Sequence, residues 1–157
     1  AEPPAADTEA VNLADLPRES GTLLSPEPLL RPQVVAVDEA LVRGDKDLLR
    51  TAVINLLDNA LKFGRSGAPP RAEIVVREDR VLLRVTTPGL RISASEGTRL
   101  FERFDRGPEA RAEQPGHGLG LSLARHVARM HGGDVVLISP ETEDTGFLLD
   151  LPAWRSA

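Results

Sequence analysis

Residues 47–64 read DLLRTAVINLLDNALKFG, and this stretch organises the rest of the chain. Its apolar residues recur three and four positions apart, which is the spacing of one broad face of an α-helix. They are Leu48, Leu49, Ala52, Val53, Leu56, Leu57, Ala60 and Leu61. The pattern predicts a long helix with this face buried. Asp45, just ahead of it, is a residue type suited to capping a helix N-terminus.

Polar side chains form a column along one edge of that face. At ~100° per residue, Asn55, Asn59 and Lys62 point along a single line. A lone Asn in a helix ordinarily serves as a solvated flank. However, Asn is a poor helix former, so two of them one turn apart indicate a use other than stability. Carboxamide oxygens suit Mg²⁺ and a lysine can meet phosphate oxygens, so the column is a candidate site for both.

The composition limits the class of protein. The 157 residues fit one domain, with 41% apolar and 27% charged residues, and the 3% of aromatic residues leaves the core to aliphatic side chains. The net charge of -5 argues against nucleic-acid or anionic-membrane partners, which need clustered Lys and Arg. The sequence contains no cysteine, no signal pattern and no apolar run near the ~20 residues of a membrane span. We therefore expect a soluble polypeptide that makes no contact with a membrane.

The remaining segments predict helices and strands in groups. Residues 1–10 are expected to be a frayed linker, followed by one domain over residues 11–157. Residues 11–16 fit a short extended or helical entry, and four prolines within residues 17–32 oppose a long helix. We expect strands at residues 33–38, 40–42, 134–138 and 146–151, a hairpin over residues 72–85, and a short helix over residues 95–104. This order predicts an α+β fold, a two-layer sandwich whose mixed, mostly antiparallel sheet is covered on one face by helices.

A glycine-rich segment opens the last predicted helix. Residues 116–121 read GHGLGL, and the helix after them is expected to end at His131-Gly132-Gly133. Glycines let backbone N–H groups approach phosphate, and a helix N-terminus adds roughly half a positive charge. Glycine also serves turns alone, so both interpretations stay open at this point. Residues 107–118 lack periodicity and are predicted to form a mobile lid.

Three motifs in order resemble those of the ATP-binding domain of bacterial sensor histidine kinases. INLLDNALKFG resembles the N box, LFERFDRG the F box and GHGLGLSLARHVARMHGG the G2 box. The intervals between the motifs also match, and the similarity covers nearly the whole chain. The resemblance implies the Bergerat fold, in which ATP and Mg²⁺ lie between the N-box helix and a lid.

The resemblance also implies roles for individual residues. Asn59 is implied as the Mg²⁺ ligand, Asn55 and Lys62 as catalytic and phosphate-contacting residues, and Phe63 as the aromatic that faces adenine. The other residues implied in nucleotide binding are Thr87, Gly89, Arg106, Gly116, His117, Gly118, Leu119, Gly120 and Leu121. Phe101 and Phe104 either support the lid or belong to the core.

One motif departs from the family pattern. The family has Asp-x-Gly-x-Gly where this chain has Thr87, Pro88, Gly89, Leu90 and Arg91, so the aspartate that accepts the adenine amino hydrogen is replaced by threonine. A neutral hydrogen bond contributes ~0.5–1.5 kcal/mol where a charged one contributes ~1.5–3 kcal/mol. ATP binding is therefore expected to be roughly 5- to 30-fold weaker than with the aspartate.

These features favour a cytoplasmic protein histidine kinase domain, or the cytoplasmic portion of a membrane sensor. No phosphoacceptor motif precedes the domain, so the acceptor is expected on a separate histidine-containing dimerisation domain, with a response regulator as a further partner. The alternative is a pseudokinase that binds nucleotide weakly and docks other proteins. An ATP-hydrolysing chaperone or topoisomerase type is disfavoured, because those ATPases carry a carboxylate at the position of Asn55 and because this chain is short.

Overall fold

A computed structural model describes residues 8–24, 33–37, 39–63, 69–87, 95, 119–138 and 146–154. Of residues 21–24, 62, 63, 119 and 120 it describes the backbone alone. The elements in chain order are β1 (Glu9–Asn12), α1 (Asp15–Leu24), β2 (Gln33–Ala36), β3 (Leu41–Gly44), α2 (Lys46–Phe63), β4 (Arg71–Arg77), β5 (Arg80–Thr86), α3 (Leu119–Met130), β6 (Asp134–Ile138) and β7 (Gly146–Pro152). None of the helices in these ranges is long and apolar enough to cross a membrane.

Helix α2 forms where the apolar period predicted it. Oδ1 of Asp45 accepts hydrogen bonds from the backbone N–H groups of Asp47 at 2.9 Å and Leu48 at 3.1 Å, which confirms the N-cap. Six of the eight predicted apolar positions are buried, namely Leu49, Ala52, Val53, Leu56, Leu57 and Ala60. Leu48 and Leu61, at the two margins of the face, are half-buried.

Five strands form the main sheet, in the order β2-β4-β5-β7-β6. Strand β2 runs parallel to β4, and the other neighbours are antiparallel, so the sheet is mixed and mostly antiparallel as predicted. A two-residue turn at Glu78 and Asp79 joins β4 to β5, and Glu78 has a φ of 57°, as such tight hairpin turns require. Strands β1 and β3 form a separate antiparallel pair.

The core lies between one face of the main sheet and the helices. Alternate strand residues such as Ile74, Leu83 and Leu149 are buried on that face, as the period of two dictates. Leu56 of α2 and Leu121 of α3 belong to the same cluster. On the opposite face Val75 and Val136 are each 41% exposed. The α+β sandwich with helices on one face of the sheet is therefore confirmed.

Helix α3 ends as the sequence predicted. Gly132 has a φ of +83°, its N–H donates to the carbonyl of Arg129 at 3.2 Å, and the N–H of Gly133 donates to the carbonyl of Ala128 at 2.8 Å. These two bonds and the left-handed residue make up a Schellman cap, which satisfies the last carbonyls of the helix.

Some boundaries differ from the sequence prediction. Strand β1 begins at Glu9, inside the segment expected to be a linker, because residues 9–12 pair with β3. Pro17 lies within α1, in its first turn, where a missing N–H costs no intrahelical bond. Strand β3 continues to Gly44, two residues past the prediction. The predicted helix over residues 95–104, apart from helical Ser95, and the predicted lid over residues 107–118 lie outside the described residues.

A cluster of charges holds α3 against the start of β6. The carboxylate of Asp134 accepts hydrogen bonds from Nε of Arg125 at 3.0 Å, Nε of Arg129 at 3.2 Å and the N–H of Val135 at 2.8 Å. Burial raises the pKa of Asp134, but the hydrogen bonds from Arg125, Val135 and Arg129 together outweigh it and hold the pKa below its ordinary value of 3.8.

Asp134 should therefore make folding stability sensitive to acid. A folded-state pKa below the unfolded value gives stability that is present above the unfolded value and is lost as the pH falls through the folded one. At pH 7 we expect Asp134→Asn to lower the free energy of unfolding by up to ~1 kcal/mol, the size of partly exposed ion pairs. Below about pH 4 the difference between the parent and the variant should shrink, because the carboxylate of the unfolded parent is then protonated, and it should disappear once the pH falls below the lowered folded-state pKa. Urea unfolding from pH 7 to pH 3 measures the difference in the free energy of unfolding, and Glu9→Gln, at an exposed position, serves as the control. An equal difference at pH 7 and at pH 3 would refute the prediction.

Candidate functional site

Helices α2 and α3 pack against each other, and because the end of α3 lies at the start of α2 they run in opposite directions. Nε2 of His131, just after α3, accepts a hydrogen bond from the N–H of Asp45, the cap of α2, at 3.1 Å. Asn59 lies 14 residues along from Asp45, and Leu119 lies 12 residues back from His131. At ~1.5 Å per residue these distances are ~21 Å and ~18 Å, so the start of α3 reaches the level of Asn59. The fold thus brings Leu119, the first residue of α3, to the same end of the helix pair as Asn59.

The two asparagines of α2 have unusual surroundings. Asn59 is only 7% exposed, although an asparagine on a solvated flank would be open to water. Nδ2 of Asn55 is buried and makes no hydrogen bond to any of the described residues. A buried polar atom without a partner costs ~1–3 kcal/mol, so it is expected where a ligand supplies the missing partner.

The end of β5 joins the same region. Thr87 is 2% exposed, and its Oγ1 donates to the backbone carbonyl of Ala60 at 3.5 Å, the residue after Asn59. This contact sets the end of the hairpin against the C-terminal half of α2. Because a hydroxyl also has acceptor lone pairs, Thr87 remains able to accept a hydrogen bond from a ligand while its proton points to Ala60.

The other proposed site residues divide into three groups. Lys62 and Phe63 form the last turn of α2, and Leu119 and Gly120 begin α3, each described by its backbone alone. Leu121 is fully buried in the core, so only its backbone N–H is available to a ligand. The remaining five residues lie outside the described ranges, namely Gly89, Arg106, Gly116, His117 and Gly118.

Two contacts that shape this region could not be predicted from the sequence. Thr87 donates to the backbone carbonyl of Ala60. Every residue carries such a carbonyl, so the sequence does not indicate which one Thr87 contacts. His131 was expected only to cap α3, whereas its ring also reaches Asp45, 86 residues away in the chain. The His-Gly-Gly sequence marks the cap but not the second partner of the imidazole.

Comparisons with known proteins find similar sequences over most of the chain. Residues 44–155 match the family described as histidine kinase-, DNA gyrase B-, and HSP90-like ATPase. The sensor-like histidine kinase SenX3 of Mycobacterium tuberculosis (strain ATCC 25618 / H37Rv) is 37% identical over 113 residues, which are 71% of this chain and 28% of SenX3. The sensor histidine kinase CusS of Escherichia coli O157:H7 is 37% identical over 120 residues, covering 73% of this chain and 24% of CusS. This chain therefore spans about a quarter of the length of these two relatives.

A solved structure shares the fold over nearly the whole chain. The mycobacterial sensor histidine kinase MprB superposes with a TM-score of 0.74 at 27% sequence identity, covering 94% of this chain and 99% of that chain. The similarity therefore extends beyond the three motifs to the arrangement of helices and strands.

Proposed function

This chain belongs to the family of histidine kinase-, DNA gyrase B- and HSP90-like ATPases, as an ATP-binding domain of the histidine kinase type, and from this premise we propose that it binds Mg-ATP and transfers the γ-phosphoryl group to a histidine on a separate dimerisation domain. The observation that carries the proposal is the buried Asn59 together with the buried Nδ2 atom of Asn55, which makes no hydrogen bond to any described residue.

The residues present fit a magnesium-bound triphosphate. The described residues contain no cluster of three or more His, Asp or Glu that could hold a metal ion. Carboxamide and phosphate oxygens are donors that suit Mg²⁺. In the proposal Asn59 ligates Mg²⁺ through its side-chain oxygen, and Asn55 donates Nδ2–H to an oxygen of the bound group. Mg²⁺ would neutralise phosphate charge, as it does in phosphoryl transfer generally.

Backbone and side-chain groups would hold the rest of the nucleotide. The N-terminus of α3, with Gly116, Gly118 and Gly120, would present N–H groups to the phosphates, and Lys62 would add a positive charge. Thr87 would accept a hydrogen bond from the adenine amino group, and Phe63 would face the ring.

A histidine is a better phosphoryl acceptor than water here, because position 55 of α2 carries no general base. Position 55 holds an asparagine, which cannot take a proton from water, so hydrolysis has no base at this place. A neutral imidazole has a free nitrogen lone pair and needs no deprotonation before attack. In the proposed step that nitrogen forms a bond to the γ-phosphorus while the bond to the β,γ-bridging oxygen breaks, and ADP leaves with the electron pair.

The partners and location belong to the same proposal. The acceptor histidine lies on a dimerisation domain, a response regulator receives the phosphoryl group from it, and the reaction takes place in the cytoplasm. The alternative, a protein-docking module that binds nucleotide weakly, gains no support from the comparisons, since SenX3, CusS and MprB are all named as sensor kinases.

Titration with a fluorescent ATP analogue tests the proposal. We expect saturable binding that strengthens when Mg²⁺ replaces EDTA, because Asn59 would bind the nucleotide through the metal. Incubation of the full-length protein with γ-labelled ATP should then give an acid-labile, alkali-stable phosphoryl adduct, as expected of phosphohistidine. Absence of binding with and without Mg²⁺ would overturn the kinase proposal in favour of the docking module.

A further inference from the structure

We propose that His131 is a positioning residue that fixes the axial register of α3 against α2 and so holds the first residues of α3, Leu119 and Gly120, at the level of Asn59. The inference extends the proposed nucleotide site, and it rests on that proposal for its functional consequence.

The imidazole of His131 joins two helix ends through two different atoms. Nδ1 lies 2.7 Å from the carbonyl oxygen of Val127, which can only accept, so Nδ1 carries the proton. Nε2 is then the unprotonated nitrogen and accepts from the N–H of Asp45 at 3.1 Å. One bond orients the ring on its own helix, and the other binds the cap of α2.

Asp45 is the fixed point on the other side. Its carboxylate caps α2 through Asp47 and Leu48, and its carbonyl accepts from the N–H of Leu49 at 2.9 Å. The backbone of Asp45 is therefore held in the first turn of α2. The hydrogen bond from its N–H therefore connects His131 to the capped first turn of α2.

The hydrogen bond adds a directional restraint to the apolar packing between the helices. The buried residues of α2 include Leu56 and Ala60, and those of α3 include Leu121 and Ala124. Apolar burial has no direction of its own. A hydrogen bond at one end of the helix pair requires two particular atoms to meet, and so favours one axial register.

A glycine makes room for the ring. A Cβ at Gly44 would overlap Cδ2 of the His131 ring and lie 2.5 Å from Nε2, so any larger residue there displaces the imidazole. Strand β3 thus ends at the residue that lets His131 reach Asp45.

The bond between His131 and Asp45 sets the axial positions at the far end of the helix pair. There Leu119 and Asn59 lie within ~3 Å of the same axial level if the helices rise at ~1.5 Å per residue.

Two conservative variants separate the two bonds of the ring. In His131→Asn the carboxamide nitrogen replaces Nδ1 and keeps the bond to Val127, but nothing reaches Asp45. In His131→Gln the longer side chain brings its oxygen to the place of Nε2 and keeps the bond to Asp45. If His131 acts only in the α3 cap, the Asn variant should resemble the parent more closely in helix register and nucleotide affinity. If His131 positions α3 against α2, the Gln variant should resemble the parent more closely.

The first measurement needs no nucleotide. Because the chain contains no cysteine, Lys46→Cys and His126→Cys place one spin label on each helix at exposed positions. Double electron–electron resonance should give the same distance distribution for the parent and His131→Gln, and a shifted or broadened one for His131→Asn. Identical distributions in all three proteins would overturn the inference.

The second measurement is the affinity for the fluorescent ATP analogue with Mg²⁺. We expect His131→Asn to bind about 5-fold or more weakly, the equivalent of one lost hydrogen bond, and His131→Gln to bind within about 2-fold of the parent. Equal weakening in both variants would overturn the positioning role. If the parent itself binds no analogue, the proposed function fails, and the label distances alone then decide the inference about register.

Discussion

Asn59→Ala is expected to remove most of the Mg²⁺ dependence of ATP affinity while the protein stays folded. In the parent, Mg²⁺ should strengthen binding because the metal links the Asn59 oxygen to the phosphates. Loss of an outer-shell partner alone costs a metal site ~10–100-fold in affinity, so loss of a direct ligand should cost at least ~10-fold. In EDTA the parent and the variant should bind the ATP analogue alike.

We expect Asn59→Ala to leave the core around it unchanged. Asn59 is 7% exposed but lies at the edge of the buried face, and the residues around it that form the core, Leu56 and Ala60, are unchanged. Thr51→Ala is the matched control, because Thr51 is an exposed polar residue on the same helix, two turns away. Calorimetric titration with and without Mg²⁺ measures the effect. If Asn59→Ala keeps the full Mg²⁺ dependence, the assignment of this residue as the metal ligand is wrong.

Thr87→Asp should have opposite effects on stability and on nucleotide affinity. Thr87 is 2% exposed and donates to the Ala60 carbonyl, a bond that an ionised carboxylate cannot make. Without nucleotide, the variant should therefore melt at a lower temperature than the parent. With ATP, the carboxylate would accept a charged hydrogen bond from the adenine amino group, tightening binding by about 1–2 kcal/mol, or roughly 5- to 30-fold.

Guanine and a third side chain provide the controls. GTP should gain nothing from Thr87→Asp, because guanine presents a carbonyl where adenine presents an amino group. Thr87→Val keeps the shape but has no acceptor, so ATP affinity should rank Asp above Thr above Val. Equal affinities of the three proteins for ATP would show that residue 87 does not meet the base. No binding of either nucleotide by any of them would favour the docking module.

Local signals in the sequence were sufficient for the main elements. The apolar period predicted α2, and the side chain of Asp45 caps it through residues only two and three positions away. Alternation predicted the β4–β5 hairpin, and the glycines after His131 predicted the end of α3. Each of these features depends on residues close together in the chain, where propensity and hydrogen-bonding chemistry act directly.

The sequence alone also determined the family, the α+β class and the line of Asn55 and Asn59 on α2, because motif order and helical period need no knowledge of packing. Only the tertiary structure decided that β1 pairs with β3, that Thr87 rests on the carbonyl of Ala60, and that His131 reaches Asp45. These contacts join residues 27 to 86 positions apart or involve backbone groups that every residue carries. Their formation depends on how the helices and strands pack, which no local pattern of side chains encodes.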